Sequence, residues 1–458
     1  MNLLLTHGYF IAEDLKEQQI MKPYVPLGIL YISAFLEKNG IENVIFDTTF
    51  STFDALKENI VQEQPKYIGI YVNLMTKVNV LKIISFIKNS DELKNTTIIL
   101  GGPEVRNHAE KFLSYGADFI VVGEGEETML ELIWKLNQGK NEELTLVNGI
   151  RFKDASGKII ATPERIKIKD IDALPLPARN KVDLFKYLEA WKKYHGKNAI
   201  SISTMRGCPY TCKWCSRAVY GLSYRRRSAE KVVEEIIHIQ KNYAPDTLWF
   251  VDDVFTISHK WLEEFAGEIK RQYVSVNYEC ITRADRLNED AFRLLKESGC
   301  FRVWIGAESG SQKIIDAMDR RVDVNQVREM IQMAKKFNIE AGTFIMLGYP
   351  GETEEDIEET IHHLKTSDPD HFTITVAYPI KGTELYEEVE TGFIDQLPWE
   401  NSTDRDIKFK RTYPEKYYAY AVRRVVNEVN YYKRSSVVHK LKSLAAKAGM
   451  WYIRTIKT

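Results

Sequence analysis

The fold is decided by the stretch Met205–Cys215, which reads MRGCPYTCKWC and follows the strand-like run Ala199–Thr204. Its cysteines, Cys208, Cys212 and Cys215, have the spacing C-x-x-x-C-x-x-C. Three thiolates from one short loop can each bind one iron of a cubane cluster and leave the fourth iron without a protein ligand. The loop therefore predicts a cluster with one iron open to chemistry.

A structural zinc site is the main alternative for this loop. Short cysteine spacings also bind zinc, but such sites use four ligands and are closed. A fourth ligand would have to come from Cys280, Cys300 or a distant histidine such as His195. In the remaining interpretation the three cysteines of the loop are buried and bind nothing, as we expect for Cys280 and Cys300, which are typical small buried apolar side chains.

The composition is that of a globular enzyme and does not indicate a macromolecular partner. The 458 residues are too many for one ordinary core, so two domains and an extension are expected. The formal net charge of −1 gives no reason to expect a nucleic-acid partner. The number and spacing of the five cysteines do not predict a disulfide framework, and the sequence predicts neither a signal peptide nor a membrane-spanning segment. A cytoplasmic location is the prediction.

The first 138 residues alternate short apolar runs with amphipathic stretches. One such stretch, Gly28–Asn39, follows Pro26 and ends before Gly40, as helix start and stop signals predict. The alternation predicts an α/β domain with a doubly wound, Rossmann-like parallel sheet. Its predicted strands are Leu3–Leu5, Val44–Phe46, Tyr67–Val72, Thr97–Leu100 and Asp118–Val122.

A second, more regular alternation predicts a partial (β/α)6 barrel with its active face at the carboxyl ends of the strands. The predicted strands are Ala199–Thr204, Thr247–Val251, Asn277–Thr282, Phe301–Ala307, Glu340–Met346 and His371–Ala377. A hairpin signal at Asp154–Gly157 and a proline-rich stretch at Leu174–Pro177 separate the two alternations. The predicted boundaries are 1–140 for the N-terminal domain, 141–198 for hairpin and linker, 199–391 for the barrel and 392–458 for a helical extension.

The extension carries a helix with an apolar face and ends in a basic segment. Thr412–Glu415 has the form of a capping box. The apolar face that follows consists of Val422, Val425, Val426, Val429 and Tyr432. From Lys433 to Thr458 there are seven basic residues and no acidic ones. This segment is either a solvated helix packed on the barrel or a helix that contacts a membrane surface or steers substrate.

Over Ala199–Thr391 the sequence resembles the radical SAM superfamily. The resemblance rests on the cysteine loop and on the later motifs Trp249–Phe255 and Ile305–Gly310. It implies a 4Fe-4S cluster on the three cysteines, with S-adenosylmethionine (SAM) on the open iron, and reductive cleavage of SAM to a 5′-deoxyadenosyl radical. The SAM contacts that it implies are Trp214, Asp252, Asp253, Arg283, Glu308 and Ser309.

Each of these SAM contacts also has a structural interpretation. Acidic residues at strand ends, such as Asp252 and Asp253, are often caps or surface charges. Glu308 could be a salt-bridge partner, and Arg283 could pair with Asp285.

The N-terminal domain resembles the cobalamin-binding domain that precedes the barrel in one large radical SAM class. The matching stretches are Pro26–Tyr31, Gly101–Pro103 and Val122–Thr128. Ligands of open α/β sheets bind beyond the carboxyl ends of the strands, where glycine lets the backbone approach a corrin. The cobalamin contacts that the resemblance implies are Asn73, Gly101, Gly102, Gly123, Glu124 and Gly125.

The chain lacks the corrinoid signature D-x-H-x-x-G. In this class the absence is usual, and it implies that no protein histidine ligates the cobalt, although His7 and His108 could contact the cofactor. The alternative is a Rossmann-like domain whose pocket is empty or takes another ligand.

The resemblance implies methyl transfer to an unactivated carbon or to phosphorus, with one SAM as methyl donor and a second as radical source. The substrate would be a small, lipid-like or tetrapyrrole molecule, and flavodoxin or ferredoxin would donate electrons. Two alternatives remain open: oxidative cyclisation or rearrangement, as in anaerobic tetrapyrrole cyclases, and a non-enzymatic corrinoid or metal-binding module.

Overall fold

The structure is a computed structural model and describes residues 2–394 and 397–456. Lys457, one of the basic residues of the C-terminal segment, lies outside the described residues.

The N-terminal part of the chain forms one sheet covered by helices. Its strands are β1 (Leu3–His7), β2 (Val44–Phe46), β3 (Tyr67–Tyr71), β4 (Thr97–Gly101), β5 (Phe119–Val121), β6 (Ile150–Lys153) and β7 (Ile159–Ala161). Its helices are α1 (Leu15–Ile20), α2 (Leu27–Lys38), α3 (Phe53–Glu63), α4 (Lys77–Lys88), α5 (Val105–Tyr115) and α6 (Gly125–Asn137). The strand order is β2-β1-β3-β4-β5-β6-β7, and the first five strands are parallel.

The predicted doubly wound parallel sheet is confirmed. All five residues of β1 are buried, as expected of a strand whose two faces are both covered by helices. The hairpin β6–β7, which the sequence analysis places with the linker, pairs antiparallel with β5 and extends this sheet to Ala161. Helix α7 (Leu184–His195) then docks on the sheet domain, where the Tyr187 hydroxyl donates a 2.7 Å hydrogen bond to Asp47 Oδ2.

The second part of the chain is a half-open barrel, which confirms the predicted partial (β/α)6 fold. Its six parallel strands follow the order β8-β11-β12-β13-β14-β15, and a small hairpin, β9–β10, lies between the first two along the chain. The strands are β8 (Ala199–Ile202), β9 (Met205–Arg206), β10 (Arg225–Arg226), β11 (Thr247–Phe250), β12 (Tyr278–Thr282), β13 (Cys300–Glu308), β14 (Glu340–Leu347) and β15 (His371–Val376). The helices are α8 (Ala229–Tyr243), α9 (His259–Arg271), α10 (Glu289–Glu297), α11 (Gln312–Ala317), α12 (Val324–Lys336), α13 (Glu354–Ser367) and α14 (Glu384–Val389).

The C-terminal extension consists of a short strand pair, β16 (Phe393–Ile394) and β17 (Lys408–Phe409), and two long helices, α15 (Glu415–Arg434) and α16 (Val437–Ile456). The predicted capping box is wrong. Pro414 has extended backbone, with ψ of 156°, so the helix begins at Glu415, and no side chain caps it. Glu415, which a capping box would place at the third helical position, is therefore the first residue of the helix.

The apolar face of α15 differs in part from the prediction. Val425 and Val429 are buried as expected, but Tyr432 is exposed, and Tyr417 and Tyr418 at the start of the helix supply the rest of the buried face. Among the described helices, none combines the length and the apolar character that crossing a bilayer requires.

Candidate functional site

The cysteine loop lies at the carboxyl end of the first barrel strand, where barrel enzymes carry their active sites. It is closed at its base by the hairpin β9–β10, in which Arg206 pairs with Arg225. Gly207 has a φ of +84°, and a Cβ at this position would lie 2.3 Å from Ser223 Oγ. Only glycine therefore fits where the loop leaves the hairpin.

The three cysteines of the loop are free and differ in exposure: Cys212 is buried, Cys208 is half-buried and Cys215 is exposed. All three belong to the described residues, yet their Sγ atoms do not all lie within 4.8 Å of one another. Zinc–sulfur bonds of about 2.3 Å would bring tetrahedral ligands to roughly 4 Å from one another. As they stand, the three sulfur atoms are therefore too far apart to surround a single zinc ion.

The candidate fourth ligands of a zinc site have other surroundings. Cys280 and Cys300 are buried in the core of the barrel sheet. His195 ends α7, and its Nε2 lies 3.0 Å from the carbonyl oxygens of Ile20 and Met21. The loop therefore offers three protein ligands, as a cubane with one open iron requires.

Two guanidinium groups converge on the buried cysteine. Arg283 Nη1 lies 3.8 Å and Arg320 Nη1 lies 3.7 Å from Cys212 Sγ. Positive hydrogen-bond donors at this distance stabilise a ligating thiolate and tune the metal that it binds. Arg320 was missed by the sequence analysis, since it follows α11 in a stretch without a motif.

Arg283 already has several partners in this structure. Its Nε donates to Asp285 Oδ1 at 2.8 Å, its Nη2 donates to the Arg320 carbonyl at 2.9 Å, and its guanidinium stacks 3.7 Å from the ring centre of Tyr210. The ion pair with Asp285 that the sequence left open is present.

The two acidic residues that follow β11 have different environments. Asp252 is buried and accepts hydrogen bonds from the backbone N–H of Thr204, at 2.7 Å, and of Met205, at 3.2 Å. It thereby fixes the chain just before the cysteine loop. Asp253 is exposed and lines the same cavity as Cys208. Although the residue as a whole is exposed, desolvation of its carboxylate by the surrounding cavity wall, and next the nearby Asp252, raise the pKa of Asp253.

The predicted SAM contacts at the end of β13, Glu308 and Ser309, also have different surroundings. Glu308 has a φ of +65° beside a bulge in the pairing with β14, and its carboxylate lies 3.9 Å from Arg320 Nη2. Burial raises the pKa of Glu308, although Arg320 and Arg283 oppose the shift. Ser309 is buried against α13, with its Oγ 3.3 Å from Thr360 Oγ1. Trp214 packs with Tyr349 in a small apolar cluster beside the loop.

A cavity of about 290 Å³ separates the cysteine loop from helix α2. Cys208, Cys215 and Asp253 lie on its barrel side, and Gly28 and Tyr31 lie on its α2 side. The protein thus encloses the exposed side of the cysteine loop between its two domains.

A second cavity, of about 250 Å³, adjoins the first and lies over the carboxyl ends of β3, β4 and β5. Of the predicted cobalamin contacts, those that line it are Gly101, Gly102, Gly123, Glu124 and Gly125. Gly102 has a φ of +107°, and a Cβ there would lie 2.4 Å from the Val72 carbonyl oxygen. Backbone without side chains at this edge fits a corrin with its nucleotide tail, so the residues present suit the group.

Asn73 lines a third cavity, of about 550 Å³, which shares Gly28 with the other two. Its Oδ1 accepts hydrogen bonds from the backbone of Met75, at 2.9 Å, and of Thr76, at 3.0 Å, so this side chain also shapes a turn. His7, in the same cavity wall, is paired with Asp47 at 3.0 Å.

His108 is buried beside Glu104, with 3.4 Å between Nε2 and Oε1, and away from the three cavities. Burial lowers the pKa of His108 to about 3, so the ring is neutral.

A buried ion-pair network joins the two domains next to these cavities. Arg206 donates to Glu124 at 3.0 Å and to Glu126 at 2.5 Å, and Arg225 donates to Glu124 at 2.7 Å. Burial raises the pKa of Glu124, but hydrogen bonds from Arg225 and Arg206 outweigh this effect and hold it below its ordinary value. The network was missed because its partners lie some eighty to a hundred residues apart.

Two protein-family models match the chain in the regions just described. The radical SAM superfamily matches residues 202–364, and the B12 binding domain matches residues 20–133. An uncharacterized methyltransferase of Pyrococcus horikoshii is 30% identical over 390 residues, which cover 83% of this chain and 82% of the relative. The chain therefore belongs to the radical SAM superfamily, in the class that carries a B12-binding domain ahead of the barrel.

Two further proteins are similar. The anaerobic magnesium-protoporphyrin IX monomethyl ester cyclase of Rubrivivax gelatinosus is 26% identical over 81% of this chain and 67% of its own length. The solved structure of the radical SAM methyltransferase TsrM from Kitasatospora setae, with cobalamin and a [4Fe-4S] cluster bound, matches with a TM-score of 0.70. That match has 17% sequence identity and covers 85% of this chain and 75% of TsrM, so it shows a common fold.

The family assignment confirms the predicted enzyme class and cofactors. The protein is a cobalamin-dependent radical SAM enzyme, whose cofactors are a 4Fe-4S cluster, SAM and cobalamin. The individual contacts to these cofactors stay predictions.

Proposed function

We propose that this protein transfers a methyl group from SAM to an unactivated carbon, or to phosphorus, of a small, lipid-like or tetrapyrrole molecule. The observation that carries the proposal is the junction of the cavities. Gly28 and Tyr220 line both the cavity that holds Cys208 and Cys215 and the adjoining glycine-lined cavity. A methyl carrier in the second cavity would stand next to a radical source in the first, which methylation of an unreactive atom requires.

We propose a division of labour between the domains. The N-terminal sheet domain holds cobalamin, and the barrel holds the cluster and SAM. When bound, the cluster supplies the electron that cleaves SAM, and cobalamin supplies the methyl group. Within the barrel we propose Trp214, Asp253 and Glu308 as SAM contacts. Asp252, Arg283 and Ser309 already have protein partners, and we propose that they position the loops around SAM.

Within the N-terminal domain, the glycines at the strand ends leave the backbone open toward the ligand. We propose Gly101, Gly102, Gly123 and Gly125 as corrin or tail contacts. Glu124 lies at the same edge but is held by two arginines, so its proposed role is to keep the barrel against this domain. We propose that Asn73, the remaining predicted cobalamin contact, would reach the cofactor from the third cavity.

The test is a product analysis with protein loaded anaerobically with iron, sulfide and cobalamin, using reduced flavodoxin or ferredoxin as the proposed electron donor. Methyl transfer predicts two products from SAM, S-adenosylhomocysteine and 5′-deoxyadenosine. Cys212→Ala should abolish 5′-deoxyadenosine, whereas the matched control Cys280→Ala, in the barrel core, should retain it. Absorbance, iron and corrin content are recorded for each variant, so loss of a cofactor is distinguished from loss of turnover.

Cyclisation or rearrangement is the second candidate, favoured by the similarity to the Rubrivivax cyclase. The same assay, run with substrate, separates the two, because only methyl transfer to the substrate forms S-adenosylhomocysteine in every turnover. With substrate present, formation of 5′-deoxyadenosine alone would reject methylation and support the second candidate. If fully loaded protein made neither product with substrate present, both candidates would be rejected.

A further inference from the structure

Helix α16 is the last helix of the C-terminal extension in the described part of the chain. It packs on α15 through the buried side chains of Ser443, Ala446 and Met450. Gly449 permits the close approach, since a Cβ there would lie 2.6 Å from the ring of Tyr420. One face of α16 is thus covered by α15.

The opposite face of α16 is apolar and exposed. Seven large apolar side chains on this single helix are each more than half exposed. They are Val437, Val438, Leu441, Leu444, Trp451, Tyr452 and Ile456. At 3.6 residues per turn these positions form one stripe along the helix, on the side away from Met450. A contiguous apolar stripe of this kind marks a surface that is covered in use.

The charges beside the stripe all have one sign. Lys440 and Lys447 border it on one side and Lys442 borders it on the other, while Val437–Ile456 contains no acidic residue. Arg454 is engaged by Glu354 at 2.9 Å. The three lysines are exposed next to the apolar stripe, and Lys440 Nζ lies 5.4 Å from the ring centre of Tyr431. Their alkyl stems can lie along the stripe while the ammonium groups stay in solvent.

We propose that this face of α16 binds the surface of a membrane that contains anionic lipids. Anionic headgroups complement the lysines, the apolar stripe enters the headgroup–acyl boundary, and Trp451 and Tyr452 are side chains that favour that boundary. The helix lies in the plane of the surface and does not cross it.

A second copy of the chain is a poorer occupant of this face. In a two-fold interface the same patch meets itself. The lysines of one α16 would then approach those of the other, and the helix offers no carboxylate to pair with them. Like charges brought together in this way oppose association.

The experiment is vesicle flotation of the cofactor-loaded full-length protein. Vesicles of phosphatidylcholine with phosphatidylglycerol are compared with vesicles of phosphatidylcholine alone, at low and at high salt. Binding should require the anionic lipid and weaken as salt rises. Leu441→Glu/Leu444→Glu should lower the partition coefficient at least tenfold, and Lys440→Gln/Lys447→Gln should do so as well, since each lysine near an anionic surface contributes about 1 kcal/mol.

The matched control is Leu146→Glu/Tyr273→Glu, which removes two exposed apolar side chains and adds two charges elsewhere. It should bind vesicles like the wild type. Circular dichroism and iron content verify that every variant is folded. Absence of wild-type binding to anionic vesicles, or equal binding by Leu441→Glu/Leu444→Glu, would overturn the proposal. So would light scattering that shows a dimer which these glutamates dissociate. None of these readouts depends on catalysis, so this proposal and the proposed function fail independently.

Discussion

Replacing Arg206 with methionine tests whether the ion-pair network holds the two domains together. Arg206 lies two residues before Cys208, and its guanidinium pairs with Glu124 and Glu126, whose side chains are each 5% exposed. The guanidinium also lies 5.5 Å from the ring centres of Tyr31 and Tyr220, and methionine, an unbranched apolar side chain, removes these cation–π contacts together with the charge. The substitution therefore removes the charge of Arg206 and every contact that depends on it.

The magnitude follows from which carboxylate loses its partner. Glu124 keeps Arg225 at 2.7 Å, so only Glu126 is stranded as a buried, unpaired charge. Breaking one buried pair in this way costs about 3–5 kcal/mol, and with one stranded carboxylate we expect about 3 kcal/mol of unfolding free energy. In Arg206→Met/Glu126→Gln the stranded charge is gone, and about half of the loss should be recovered.

The assay is urea unfolding of the cluster-free protein, followed by far-UV circular dichroism, with iron retention of the loaded protein as a second readout. Iron should be lost faster from Arg206→Met because the cysteine loop begins at this residue. The control is Arg271→Met, which removes an exposed pair with Glu268 and should leave stability nearly unchanged. The reasoning is refuted if Arg206→Met costs less than about 1 kcal/mol, or if the two substitutions of the double variant are additive.

Two further predictions concern the pH dependence of stability and the cavity junction. Burial raises the pKa of Glu352 from 4.5 to about 8, so its folded-state pKa exceeds the unfolded one and stability falls as pH rises through that window. Glu352→Gln should flatten this fall and melt above the wild type at pH 9, measured by thermal unfolding across pH; parallel curves would contradict the assignment. Gly28→Leu should lower bound corrin at least tenfold at unchanged iron content, because the side chain would enter the junction of the cavities. Gly28→Ala, whose Cβ would lie 3.7 Å from the ring of Tyr71 as its nearest contact, should retain the corrin and be more stable by about 1 kcal/mol. Equal corrin in both Gly28 variants would exclude the junction as its site.

The strands were predictable because burial of both faces leaves an apolar signature in the sequence. Val44–Phe46 has the predicted bounds, and the barrel strands agree to within one or two residues at each end. The start of α15 could not be predicted in this way. Thr412 and Glu415 have the right spacing for a capping box, but Pro414 holds the chain extended between them. Local spacing alone does not reveal which residue begins a helix.

Side-chain direction at the site was the harder part. The motif Ile305–Gly310 locates the end of a strand, but a bulge between Gly306 and Glu308 determines where the side chains after it point. Gly310 then brings the chain so close to α13 that a Cβ would lie 2.4 Å from the Thr360 Cα, and Ser309 is buried there. A register shift of this kind depends on how the strand pairs with its neighbour β14. The residues of the motif do not indicate that pairing.

The residues that follow the last cysteine connect the two cofactor regions. The Ala218 carbonyl accepts a 2.6 Å hydrogen bond from Arg106 of the N-terminal domain, a Cβ on Gly123 would lie 3.7 Å from the Val219 carbonyl oxygen, and Tyr220 lines both adjoining cavities. The chain that leaves the cysteine loop is thus part of the wall of the glycine-lined cavity. This short stretch of backbone therefore contributes to the walls of both cavities. Arg206 and Arg225 bracket the stretch and both pair with Glu124 of the sheet domain, so its two ends are fixed to the same carboxylate.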